Sequence, residues 1–206
     1  INSSDGNDLD YAGAGDDSIL AGNGDDTAYG GDGRDTIDGS DGDDSLYGDA
    51  GNDSVLGGKG SDRIYGGTGD DTLAGGEGSD FLFGDAGNDL LTGGNDAWDE
   101  LYGGDGNDTI ISGNANDNWA YGGTGDDSIT MGTGWDLAYG GAGNDSLYGG
   151  SGNDTLHGGA DNDSVIGGTG SDTVTGGSGN DTLDGGADAD GIHGGSGNDL
   201  IYGGDG

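Results

Sequence analysis

Cysteine and proline are both absent from the 206-residue sequence, and lysine and arginine together number three: Arg34, Lys59 and Arg63. Without cysteine there are no disulfide staples, and the redox compartment is left undetermined. Without proline, and with no glycine at every third residue, a collagen-like triple helix is excluded. Three cations cannot neutralise phosphates, so nucleic acid and anionic membrane surfaces are excluded as partners by sign. No apolar run approaches the length needed to span a membrane. Apolar residues make up only 28% of the chain, too few for a thick core. Ile1 follows no charged or apolar leader, so the chain reads as a mature fragment cut from something larger.

What the chain has is glycine and aspartate: 57 Gly, 40 Asp and two Glu, with a formal net charge of −39. Such a composition ordinarily leaves a chain disordered, because little apolar surface is available to offset chain entropy. The order of the residues argues otherwise. From Ser3 the chain divides into units such as Gly30-Gly31-Asp32-Gly33-Arg34-Asp35-Thr36-Ile37-Asp38, of the form Gly-Gly-x-Gly-x-Asp-x-apolar-x. There are 22 units, 20 of nine residues and two of ten (93–102 and 112–121), covering 200 of the 206 residues. No separate domain, linker or tail remains, and a period this short marks a solenoid.

Each unit has two physical parts. Six residues rich in glycine form a turn, where positive φ or close backbone approach is needed. The last three alternate as a very short strand with one side chain inward. Alone, such a strand buries almost nothing; stacked in register it joins a parallel sheet with a continuous inward row. Two units then make one coil, and eleven coils at ordinary strand spacing make a rod of about 50 Å. The expected fold is all-β, a two-sheet parallel β-solenoid of about 11 coils. The inward residues support it. Even-numbered units place Ile19, Ile37, Val55, Leu73, Leu91, Ile110, Ile129, Leu147, Val165, Leu183 and Ile201 there. Odd-numbered units place Ala28, Leu46, Ile64, Leu82, Leu101, Ala120, Ala138, Leu156, Val174 and Ile192, with Asp10 in the terminal coil.

The sixth position is aspartate in 21 of the 22 units. On the odd units these are Asp8, Asp26, Asp44, Asp62, Asp80, Asp99, Asp136, Asp154, Asp172 and Asp190. On the even units they are Asp17, Asp35, Asp53, Asp71, Asp89, Asp108, Asp127, Asp145, Asp163, Asp181 and Asp199. The exception is Asn118, beside Asp117. Aspartate is a poor strand former, and carboxylates stacked about 5 Å apart repel strongly without counter-charge. A hard divalent cation between successive turns removes the repulsion, and calcium accepts backbone carbonyls as well as carboxylates.

These units resemble the RTX (repeats-in-toxin) calcium-binding nonapeptide over essentially the whole chain. The resemblance implies a parallel β-roll with calcium held between neighbouring turns on each edge, by the sixth-position carboxylates and turn carbonyls. It also implies export by a type I system, with folding in calcium-rich medium outside the cell. About ten gaps per edge give about 20 ions, roughly +40 of charge against the chain's −39. Ala97, Ala115, Asp161 and Asp188 replace the fourth-position glycine. Weak or missing calcium is expected around 95–99 and 114–118, with the opposite edge complete.

The outward rows are unequal. The ninth position of odd units reads Tyr11, Tyr29, Tyr47, Tyr65, Phe83, Tyr102, Tyr121, Tyr139, then His157, Thr175 and His193. This row is either a stacked ladder that stiffens the sheet or a contact surface, and the two are compatible. Phe81, Trp119 and Leu137 widen it. Trp98 and Trp135 directly precede sixth-position aspartates, and with Trp119 they fall on three successive coils. This cluster is read as a contact site for self-association or a partner; the competing reading has the rings plugging a disrupted turn. Even units carry a seventh-position row of Ser and Thr, which makes ice binding a minor alternative. The two histidines have no second His or Cys at ligand spacing. No His-Glu-x-x-His or Gly-x-Ser-x-Gly motif occurs, and an enzyme is not expected.

Two main functions compete. The first is a calcium-binding structural module of a secreted or cell-surface protein, such as an adhesin, surface layer or extracellular filament. The second is the secretion and folding module of an RTX toxin or exoenzyme whose active domain lies elsewhere.

Overall fold

One inward aliphatic residue in each nonapeptide is enough for a strand only if an identical strand lies on either side, and the architecture meets that condition. A computed structural model describes residues 1–114 and 117–206; Ala115 and the expectation attached to it lie outside the described residues. The described chain forms 22 strands, from β1 (Leu9–Ala14) to β22 (Leu200–Tyr202). They make two eleven-stranded sheets, odd strands in one and even strands in the other, every pairing parallel. Leu9 faces Thr27 and Asp10 faces Ala28, so one coil is two nonapeptides. The two-sheet solenoid of 11 coils expected from the repeat is what forms.

The strands are longer than the repeat alone implies. Most run six residues, such as Thr27–Asp32 and Thr36–Asp41, and not three. The two glycines opening the next unit stay in the ladder, with Gly13 beside Gly31, although Gly31 has φ 107°. Glycine tolerates that torsion at little cost, so the strand turns the corner without leaving its sheet.

Between the sheets lies a single aliphatic layer. From Ile19 to Leu183 the inward residues of both sheets are at most 2% exposed. The two ends differ. At the first coil, Asp10 is buried and accepts hydrogen bonds from the Ser3 hydroxyl at 2.9 Å, a polar plug in an apolar row. At the last coil nothing covers Ile201, which is 46% exposed. A core one side chain thick leaves the turns at the two edges to contribute the remaining cohesion.

Candidate metal centres along the two edges

Turns of odd units form one edge of the roll and turns of even units the other. In each turn the sixth-position aspartate closes a ladder. Asp35 donates its N–H to Oδ1 of Asp53 at 2.7 Å, and Asp53 donates to Oδ1 of Asp71 at 2.7 Å. The pattern runs without a break from Asp17 to Asp199 on the even edge. On the odd edge it runs from Asp8 to Asp190, passing through Asn118. Both ten-residue units therefore leave the ladder in register.

One oxygen of each carboxylate is used in this way. The other is buried and has no hydrogen-bond partner at 18 positions, from Oδ2 of Asp26 through Oδ2 of Asp190. Asp35, Asp62 and Asp80 have no exposed surface at all. Asp8, Asp17, Asp190 and Asp199, in the terminal coils, are half-buried. A buried acceptor left bare costs about 1–3 kcal/mol, more if charged, so a row of them calls for a partner.

The first-position glycine explains where that partner fits. Gly30 has an ordinary negative φ, so its conformation does not demand glycine. A Cβ there would lie 2.4 Å from Oδ2 of Asp35 and 2.8 Å from the carbonyl oxygen of Gly48 on the next coil. Glycine is favoured at Gly30 because two oxygens already converge on the space. Gly33, at the fourth position, differs: its φ is 139°. Asp161 and Asp188, which replace that glycine, hold positive φ of 75° and 78°, so the turn survives with strain taken by the aspartate backbone.

Electrostatics mark these carboxylates as sites where positive charge would be favoured. Burial pushes the carboxyls of Asp62, Asp71, Asp80, Asp127, Asp154 and Asp163 up to about 7, against the lowering effect of the amide bond each accepts. Asp44, Asp89, Asp99, Asp136 and Asp145 are raised to about 6 for the same reason. Neighbouring aspartates add to most of these shifts. Among the described residues, no three acidic or histidine side chains converge on one point. An ion on these edges must therefore draw on backbone carbonyls, and a donor set of carboxylate and carbonyl oxygen suits a hard cation such as calcium.

The outer row of the turns distinguishes the edges. On the even edge Asn198, Asn180 and Asn162 donate their amides down the row at 3.2, 3.0 and 3.1 Å. On the odd edge the same row holds Trp98, Asp117 and Trp135. Trp98 lies half-buried and edge-on to both Phe81 and Trp119, at 5.6 and 5.7 Å between centroids. The guanidinium of Arg63 covers Phe81 at 5.2 Å. Trp135 is 67% exposed and Trp119 39%. A surface depression of about 430 Å³ beside the first insertion is lined by Glu77, Asn95 and Asp96, among others, and by none of the buried carboxylates.

Across the odd sheet, Tyr11, Tyr29, Tyr47, Tyr65, Phe83, Tyr102, Tyr121, Tyr139 and His157 stack continuously, with centroids 4.6 to 5.3 Å apart. Stacking covers much of each ring, so the row is half-buried from Tyr29 to Tyr121 and exposed at Tyr11 and Tyr139. Tyr102 also donates its hydroxyl to Glu100.

A parallel solenoid with a glycine-rich turn at each half-coil, nearly all of them holding a buried carboxylate, defines a class: repeat modules whose edges present rows of oxygen donors. The family is specific. A model of four copies of the RTX calcium-binding nonapeptide repeat matches residues 2–37, 29–64, 65–97, 112–130, 130–165, 157–192, 166–201 and 188–206, and the chain belongs to that family. It is a calcium-binding structural module. Residues 98–111, which begin within the first ten-residue unit, fall outside the matched segments. No curated protein matches the chain significantly.

Proposed function

We propose that this chain is a calcium-loaded structural module of a secreted or cell-surface protein, such as an adhesin, surface layer or filament, and that it folds when it meets calcium outside the cell. The observation that carries this reading is the row of buried Oδ2 atoms without partners, repeated at 18 aspartates on the two edges. The residues fit the ion. The carboxylates that would hold it are the sixth-position aspartates from Asp8 to Asp199, together with first-position carbonyls such as that of Gly48. Bound calcium supplies positive charge and oxygen-seeking coordination. The chain's own part is to present one oxygen of each carboxylate while the other is pinned by the amide of the coil before. Without the cation, the negative charge and thin core favour an expanded chain.

The experiment is a calcium titration of the full chain followed by circular dichroism and small-angle scattering. Half-folding at about 0.1–1 mM calcium is expected, the range suited to extracellular modules. Compact β-structure that persists in excess chelator overturns the proposal.

The aromatic residues of the odd sheet support a second element of the same reading. Exposed Trp119 and Trp135, with Tyr139 beside them, are offered as the contact area for self-association or a surface partner, since large aromatics are enriched where surfaces meet. Trp98, packed between Phe81 and Trp119, holds that area in shape.

A further inference from the structure

At one coil the edge chemistry changes while the ladder of amide-to-Oδ1 bonds continues. Asn118 occupies the sixth position of its turn, fully buried, and its Oδ1 accepts the N–H of Asp99 at 2.9 Å. That bond fixes the orientation of the amide, because turning it over would set Nδ2 against the same N–H, donor to donor. The atom left where the carboxylates hold a bare oxygen is therefore Nδ2, a donor. It bonds the hydroxyl of Ser112 at 3.5 Å.

Ser112 stands at the first position of its unit, the place that is glycine on the even edge from Gly30 to Gly194. On the odd edge the next coil places Met131 at the same position, 3% exposed and part of the aliphatic core. Ser112 thus fills with its side chain a space that Gly39, Gly57, Gly75 and Gly93 leave to oxygens on the same edge, whereas Met131 borders the following step, where Asp136 keeps its bare Oδ2. Asp117 does not compensate from the neighbouring position. It is exposed in the outer row, where its Oδ1 accepts the N–H of Trp135 at 2.8 Å.

A cation at this step would lose one carboxylate and one unit of negative charge, and would meet the positive end of an amide N–H. We propose that the odd edge contains one cation-free step, between the turns of residues 112–118 and 131–136, closed by the Asn118–Ser112 pair, which divides the calcium row of that edge into two separate rows. The proposal rests on the calcium reading above.

The test counts calcium on the full chain by native mass spectrometry at saturating calcium. Asn118→Asp combined with Ser112→Gly is expected to bind one ion more than the wild type, and Asp117→Asn the same number as the wild type. The reverse transplant, Asp71→Asn with Gly66→Ser on the even edge, is expected to bind one ion fewer while keeping its circular dichroism. It guards against failure of the first variant to fold. An unchanged count in the transplant, an unchanged count in the folded Asn118→Asp, Ser112→Gly variant, or loss of an ion in Asp117→Asn overturns the cation-free step. A wild type that binds no calcium at all refutes the calcium reading itself, a separate result.

Discussion

The two edges of the roll are built from the same repeat and differ in what they ask of their side chains. The even edge is uniform: aspartate at every sixth position, glycine at every first position from Gly30 onward, and much of its outer row asparagine. The odd edge carries both ten-residue units, Asn118, Ser112, Met131 and two of the three tryptophans. Yet the ladder of amide-to-Oδ1 bonds is unbroken on both. The ladder needs only one side-chain oxygen per turn, and asparagine supplies it as well as aspartate. A cation needs the second oxygen and its charge, which asparagine does not have. An edge can therefore lose ion-binding chemistry at one step and keep its register.

The largest expected effect erases the comparison. Removing calcium with a chelator at neutral pH should unfold both edges together, read as loss of the β-sheet circular dichroism signal and a large rise in radius of gyration.

Acid should partly restore what chelation removes. Burial raises Asp62, Asp71, Asp80, Asp127, Asp154 and Asp163 from 3.8 to about 7 in the calcium-free fold. The folded state then binds more protons than the unfolded chain. The stability this contributes is fully present below about pH 4 and is lost as pH rises through about 7. In chelator, residual β-structure should thus be greater at pH 5 than at pH 8. In calcium, the same linkage should weaken affinity as pH falls below about 6, because protons and calcium compete for Oδ2. A calcium midpoint that does not change between pH 5 and 8 would contradict this.

Single substitutions sharpen the contrast between the ladder and the ion. Asp71→Asn on the even edge should remove the second oxygen and keep the ladder, shifting the calcium midpoint upward. Asp71→Ala should do more, since the N–H of Asp53 also loses its acceptor. An additional loss of about 1–3 kcal/mol is expected in denaturant melts at saturating calcium. Equal effects of the two variants would mean that the ladder bond contributes nothing.

The smallest effects separate the tryptophans. Trp135→Ser should leave calcium-induced folding unchanged and weaken any association measured by analytical ultracentrifugation. Trp98→Ser should cost stability, because it removes the ring between Phe81 and Trp119. If Trp135→Ser lowers folding cooperativity and leaves association untouched, the exposed ring is structural.

Much of this was legible in the residues alone, because a strict period carries its own register. The spacing of Ile37, Val55 and Leu73 places them one above another, and the structure buries all three. The sixth-position aspartates were marked by recurrence, since nothing in turn formation requires a carboxylate at one phase of the repeat. Strand length was not legible: glycine is scored as a strand breaker, and only the parallel neighbours hold Gly13 and Gly31 in the sheet. Neither was the difference between Asp117 and Asn118 as partners of the ladder, which depends on which residue the inserted turn delivers to the buried position.

The sequence by itself therefore determined the coil, the inward row and the phase at which carboxylates recur, because these follow from a period that matches the geometry of a stacked strand. Only the tertiary structure decided how each carboxylate divides its two oxygens. Asp35 can give one oxygen to the amide of Asp17 and hold the other bare beside Gly30 only once the neighbouring coils are in place. That division is made across 18 residues of chain, by atoms that no single repeat contains.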